Sequence, residues 1–245
     1  MARMIGNDDD NRLNGTGIAD LIYGRSGDDR LQGFSGNDRL FGGEGNDLIW
    51  AGTGSNIVHG GEGNDRIWAS WGNDHIAAGE GNDVVRAGGG HNRVFAGEGN
   101  DVVSSGNGRD TIDAGEGNDA VFTHGGNDRI GGGEGDDLLV AGWGHDRIWG
   151  GEGNDTLNGG AGNDVMAGGE GADRFVFNGG RDRITDFENG DDQVDLAAFR
   201  WIDNFSQIRG AASQQGSDVV IKLGQNTLVI EDFRLGQMNA DDFIW

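Results

Sequence analysis

From Asn11 to Asp182 the chain returns every nine residues to an Asp or Asn, without a gap, for twenty units, seventeen of them Asp. Numbered so that this residue is place six, the eighth place is apolar in every unit, from Leu13, Ile22 and Leu31 to Met166, Phe175 and Ile184. Place four is Gly in eighteen units, the exceptions being Asp9 and Ile18. Three residues reading variable-apolar-variable predict a short strand with one side chain inward. The glycine-rich six before them predict a turn, with positive φ or a close backbone approach at place four. A strand and a turn at a fixed period describe a solenoid.

A second period doubles the first. Place three carries Glu44, Glu62, Glu80, Glu98, Glu116, Glu134, Glu152 and Glu170, 18 residues apart, while the intervening units vary. The structural coil is therefore read as 18 residues, with Glu-bearing turns along one edge and variable turns along the other. Twenty units make about ten coils, a rod of about 45–50 Å at the ~4.8 Å strand spacing. The first two units, which break the glycine rule, read as a degenerate end that protects strand edges.

Residues 1–10 read as an acidic lead, 11–185 as the roll, and 186–245 as a small β-rich cap. In the cap, Gln193–Phe199 is a short apolar segment. Ser217–Ile230 reads as two strands around Gly224-Gln225-Asn226.

Gly supplies 51 of 245 residues and Pro none, so at a period of nine collagen is excluded. A formal charge of −24 speaks against nucleic acid as a partner and for a cation binder or a strongly solvated chain. Such a composition also suits disorder, but disorder needs no apolar residue at a fixed phase. Without cysteine there are no disulfides and no thiol chemistry. No run is long enough to span a membrane, and the N-terminus lacks the apolar stretch of a secretory signal. There is no His-Glu-x-x-His or Gly-x-Ser-x-Gly motif, so the chain is not read as an enzyme. A catalytic part would belong to a longer polypeptide.

A carboxylate on a glycine-rich turn suits calcium, a hard cation that takes six to eight oxygens, backbone carbonyls included. Zinc would want His or Cys, and His59, His75, His91, His124 and His145 share no ligand spacing. One buried apolar side chain per unit is a thin core for so much ordered backbone, and the stacked carboxylates repel. The metal-free chain is therefore expected to be unfolded, with ion binding supplying the folding free energy.

The repeats resemble the RTX nonapeptide GGxGxDxUx. Ile184-Thr185-Asp186-Phe187 and the segment after it resemble the closing segment of many RTX rolls. Asp241-Asp242-Phe243-Ile244-Trp245 is similar to the acidic-then-apolar terminus of type I secretion substrates. The resemblance implies an all-β, right-handed parallel β-roll, exported unfolded and folded in extracellular calcium. It also implies that each ion takes the carbonyls of places two and four from one turn, those of places one and three from the next turn on the same edge, and both carboxylates.

On the Glu edge the first set would be Arg25, Gly27 and Asp29 with Gly42, Glu44 and Asp47. Gly43, Gly45 and Asp47 would join Gly60, Glu62 and Asp65, and Gly61, Gly63 and Asp65 would join Ala78, Glu80 and Asp83. Gly79, Gly81 and Asp83 would face Ala96, Glu98 and Asp101, followed by Gly97, Gly99 and Asp101 with Ala114, Glu116 and Asp119. Gly115, Gly117 and Asp119 would meet Gly132, Glu134 and Asp137. Gly133, Gly135 and Asp137 would meet Gly150, Glu152 and Asp155. Gly151, Gly153 and Asp155 with Gly168, Glu170 and Asp173 would complete the row.

On the other edge the candidates are Asp20, Asp38, Asp110, Asp128, Asp146, Asp164 and Asp182, because Asn56 and Asn92 spoil the gaps between. About thirteen intact gaps follow, whose ions would offset the charge of −24. Places seven and nine should point outward. Leu48, Trp50, Trp68, Phe122, Leu138 and their neighbours make an apolar stripe on one sheet. It would suit self-association, adhesion, packing of the C-terminal cap, or, in a carbohydrate-binding accessory module of a larger secreted enzyme, stacking of a cell-surface or matrix polysaccharide on Trp50 and Trp68.

Overall fold

The computed structural model describes all 245 residues as a parallel β-solenoid with one short helix. Its register shows the coil length directly. Leu40 pairs with Val58, Val58 with Ile76 and Ile76 with Val94, each 18 residues on. One sheet of 14 strands and another of 12 face each other. The first holds Arg3–Ile5, Leu21–Ser26, Arg39–Glu44 and their successors to Arg181–Ile184, and the second Arg12–Asn14, Arg30–Gln32, Leu48–Gly52 and theirs to Arg174–Val176. Glu44, Glu62 and the later Glu residues end strands of the first sheet, so that column marks one edge. About ten coils are expected from the repeats. The structure has about eleven turns, because Arg3–Ile5 pairs with Leu21–Tyr23 and Met4 takes place eight.

The core is narrow. Place eight is fully or almost fully buried from Ile22 to Ile184. Beside it runs a second inward column at place one, of small residues such as Gly42, Ala51, Ala78, Ala96 and Ala141. Size is limiting there: a Cβ on Gly42 would lie 2.0 Å from Asp47 Oδ2 and 2.6 Å from the Gly60 carbonyl oxygen. The column holds Ser105 and Thr123 in mid-roll and widens to Phe177 at its C-terminal end, where Phe175, Phe187, Phe199 and Phe233 close the core.

Residues 186–245 continue both sheets. The offset rises by one residue at Arg174↔Gln193, after the turn carrying Phe187. In the first sheet Arg181–Ile184 pairs in parallel with Asn226–Ile230, which forms an antiparallel hairpin with Asp218–Leu223. In the second, Gln193–Asp195 is followed by Phe243–Ile244, so the last residues of the chain are a strand of the roll. Asp242 beside it is buried. The ion pairs Arg174–Asp195 and Arg183–Glu231 tie these strands to the last coils. The helix Phe205–Ala211, not foreseen from the sequence, starts at an Asn204–Gln207 capping box and buries Ile208.

Place four takes positive φ as expected, and so does place two at most units: Gly43 has φ 126° and Gly45 φ 118°. The carbonyl of Gly43 points at the α-carbon of Gly61, where a Cβ would be 1.9 Å away. Three units nevertheless carry a side chain at place two with positive φ: Arg25 at 98°, Phe34 at 72° and His124 at 64°. Arg25 lies furthest from any well that an L-residue favours. Arg25→Gly keeps the carbonyl and relieves this strain, so a stabilisation of about 1 kcal/mol is expected in denaturant unfolding at fixed calcium.

Candidate metal centres

Each Asp at place six follows the turn and points inward under it, almost completely buried. One carboxylate oxygen belongs to the fold. Asp65 Oδ1 accepts the backbone N–H of Asp47 at 2.8 Å, and Asp83 Oδ1 that of Asp65 at 2.7 Å. The same bond runs along both edges, as from Asp20 to Asp38 and from Asp164 to Asp182. The second oxygen is different. Sixteen Oδ2 atoms, from Asp29 to Asp182, are buried with no hydrogen-bond partner. An unpaired buried carboxylate oxygen is costly, and here the same one recurs on nearly every turn.

The surroundings of that oxygen are other oxygens. Asp47 Oδ2 and the Gly60 carbonyl both approach the α-carbon of Gly42. Between this turn and the next, the carbonyls of Gly43 and Gly45 point at Gly61 and Gly63. The Glu62 carbonyl lies on the same gap and accepts the Gly45 N–H at 2.8 Å. Asp65 reaches in from the next coil through its bond to Asp47 N. Gly43, Gly45, Asp47, Gly60, Glu62 and Asp65 therefore border one gap, and the pattern repeats along the edge. The Glu side chains themselves are exposed. No three His, Cys, Asp or Glu side chains are placed to hold one ion, so each gap is mostly backbone oxygen. That donor set fits a hard cation of high coordination number and does not fit zinc.

Without a counter-charge these acids resist ionisation. Burial first, then the carboxylates of Asp101 and Asp65, push Asp83 up to about 8. Burial pushes Asp65 and Asp101 up to about 7 and Asp182 to about 8.

The Asn positions solve the same problem locally. Asn56 Nδ2 donates to the Gly54 carbonyl at 3.0 Å, and Asn92 Nδ2 to the Gly88 carbonyl at 3.1 Å. Each amide occupies the turn oxygens that elsewhere have only a carboxylate opposite them. Asp20 departs from the sequence-based expectation. Its Oδ2 accepts both the N–H and the hydroxyl of Thr16, at 2.5 and 2.8 Å, and burial is outweighed so that its carboxyl is held low. Thr16 at place two was the available signal. Asp74, whose two gaps both face Asn, has an unpartnered Oδ2 like the rest. Asp192 adds a rung past the last repeat by accepting Asp173 N, a place that no nine-residue count reaches.

Place five carries a ladder that the periodicity hid in plain view. Asn64 N–H donates to Asn46 Oδ1, Asn82 to Asn64, Asn100 to Asn82 and Asn118 to Asn100, at 2.6–2.9 Å. The Asn of each GND thus ties turn to turn on the Glu edge.

The family profile described as "RTX calcium-binding nonapeptide repeat (4 copies)" matches ten overlapping segments from residues 5–33 to 149–184. The chain belongs to the RTX calcium-binding repeat family. Calcium is accordingly the ion of these RTX turns, and the parallel β-roll is their architecture. No curated protein matches the chain. Among solved structures, the extracellular lipase LipA from Serratia marcescens is similar at 20% identity and a TM-score of 0.35. That match covers 96% of this RTX chain and 39% of the lipase chain. No helix of the RTX chain is long and apolar enough to cross a membrane.

Proposed function

We propose that this RTX protein is a secreted calcium-binding scaffold that folds as rows of ions fill both edges of its roll. The observation that carries the reading is the column of sixteen buried, unpartnered Oδ2 atoms. In each gap the two carboxylates supply charge and the carbonyls of places one to four complete the shell. The Glu side chains add negative potential outside. Calcium, when bound, supplies the positive charge that lets the carboxylates ionise while buried. The residues do the rest: as each coil folds, Oδ1 holds its Asp to the preceding coil and so aims Oδ2 into the gap.

The gaps flanking Asn56 and Asn92 are weak on this reading, and Asp20 is weakened by Thr16. About twelve or thirteen ions are expected by native mass spectrometry at saturating calcium, given the intact gaps in the sequence and the engaged Asp20 carboxylate. Two or three ions would be incompatible with filled rows. Secretion through a one-step bacterial channel accords with this mechanism, because a chain unfolded at low calcium can pass through and fold outside. The docked terminal strand Phe243–Ile244 would then be free during passage.

A second reading, assembly or adhesion through the exposed sheet, draws on Trp50 and Trp68, stacked at 5.4 Å with Trp50 exposed, and on exposed Val102 and Leu138. Light scattering of the calcium-loaded protein separates the two: a monomer at high concentration removes the assembly reading.

A further inference from the structure

We propose that the first sheet carries a binding site for an acidic oligosaccharide, built on the strands Arg93–Glu98, Thr111–Glu116, Arg129–Glu134 and Arg147–Glu152. This goes beyond calcium binding and gives no ligand role to the gap carboxylates, of which Asp128 alone lines it.

The place-nine residues of these four strands are Phe95, Asp113, Gly131 and Trp149, in register across the sheet. Phe95 and Trp149 stand three strand spacings apart, about 14 Å, and Trp149 is 46% exposed. Between them the floor is low. A Cβ on Gly131 would touch nothing closer than 4.0 Å. The result is an open trough of about 360 Å³ with an aromatic wall at each end and Arg93 and Arg129 along its side. Arg93 lies over the Phe95 ring at 4.8 Å. Flat aromatic walls separated by hydrogen-bonding groups suit pyranose rings, whose C–H faces pack on aromatic rings and whose hydroxyls need donors and acceptors. Asp113, the one acid in the trough, is an acceptor for such hydroxyls.

A second hollow of about 150 Å³ shares Arg129 with the first and has no apolar lining. Arg109, Arg129, Arg147 and His145 converge there. The imidazole is oriented: its Nδ1 accepts the Asn163 N–H at 2.9 Å, which leaves its proton on Nε2 as a further donor. Only the buried Asp128, already in the ladder, is acidic.

None of these guanidinium groups has a carboxylate partner, although the chain holds 42 acids. The molecule's two ion pairs lie elsewhere. Arg129 and Arg147 are directly opposed across the strands, a like-charge pairing that weakens a sheet. The adjoining turns, around Asn107, Gly125 and Trp143, belong to the edge without Glu. An unpaired cationic cluster on an acidic protein, beside a trough with aromatic walls, fits a ligand that has both a sugar face and a negative group. Arg is the side chain that matches carboxylate or sulfate oxygens two at a time. The rings lie along the trough, and the anionic substituent enters the hollow at Arg109, Arg129 and Arg147.

The test uses the full chain at fixed, saturating free calcium, with binding read by calorimetry. The probes are a galacturonate tetrasaccharide, a sulfated heparin tetrasaccharide, neutral cellotetraose and a thymidine tetranucleotide. At least one acidic sugar should bind, at least tenfold tighter than cellotetraose and the nucleotide, and which one binds tells carboxylate from sulfate. Arg129→Gln with Arg147→Gln should weaken it tenfold or more, and Trp149→Ala about fivefold or more. Neither variant should raise the calcium midpoint of folding, and Arg129→Gln with Arg147→Gln should lower it by relieving the like-charge pairing, so a failure here is separable from a failure of the folding reading. The proposal is overturned if neither acidic sugar binds, if the nucleotide or cellotetraose binds as tightly, or if Trp149→Ala leaves the affinity unchanged.

Discussion

Asp101→Asn is expected to lower the calcium stoichiometry by two and to raise the calcium concentration needed for folding, whereas Asn92→Asp should do the reverse. Asp101 stands between Asp83 and Asp119, with Oδ1 on the Asp83 N–H at 2.7 Å and Oδ2 unpartnered. An amide there keeps the shape and the ladder bond. It removes the charge from two adjacent gaps and turns an N–H₂ toward the turn carbonyls, as Asn92 does toward Gly88. Leaving a buried cation short of one of its two charged partners costs about 3 kcal/mol or more. Asn92 accepts the Asp74 N–H through Oδ1 at 3.1 Å, a bond that a carboxylate retains. Asn92→Asp therefore repairs the gaps to Asp74 and to Asp110. Native mass spectrometry counts the ions, and circular dichroism during a calcium titration gives the midpoint. Equal counts and midpoints for the two variants would remove the distinction between Asp and Asn turns.

Chelation at neutral pH should produce the largest change of all, loss of the β-roll signal in circular dichroism, and acid should partly restore it. The sign follows from the carboxylates. Burial raises Asp47, Asp65, Asp101 and Asp137 to about 7 and Asp83 and Asp182 to about 8, against an ordinary value of 3.8. A group whose pKa is higher folded than unfolded binds more protons when folded. Its favourable contribution is fully present below about 4 and is lost as pH rises through 7 to 8. The chelated chain should therefore be least able to fold at pH 8 and gain β structure on acidification toward pH 4. With calcium present the dependence inverts, because protons compete with the ion for the same oxygens. The calcium midpoint should rise as pH falls from 8 to 5. A chelated chain that folds better at pH 8 than at pH 4 would show that the buried carboxylates do not control folding.

The period of the sequence determined the coil by itself. An apolar residue at place eight and a carboxylate at place six of every nine require segments stacked at a multiple of nine, the Glu column 18 apart picks the doubled period, and Leu40 over Val58 over Ile76 is that stack. The Glu column likewise sorted the two edges from the sequence alone. Asn56 and Asn92 could be singled out as weak because loss of charge needs no geometry. What only the tertiary structure decided depends on where hydrogen bonds go. It split each carboxylate into a ladder oxygen and a free one, showed Asp20 spent on Thr16, and turned the Asn of GND into a rung. It made place one a small inward column, because Asp47 Oδ2 crowds Gly42. At the C-terminal end, where the period stops, pattern gave the hairpin but not its partner. Asn226–Ile230 joins the roll because Arg181–Ile184 would otherwise leave an open edge. The same holds for the Arg and Trp residues at places seven and nine. Their outward direction follows from the pleat, but Arg129 and Arg147 at place seven meet Arg109 of a place-five turn only because successive coils carry them to one spot.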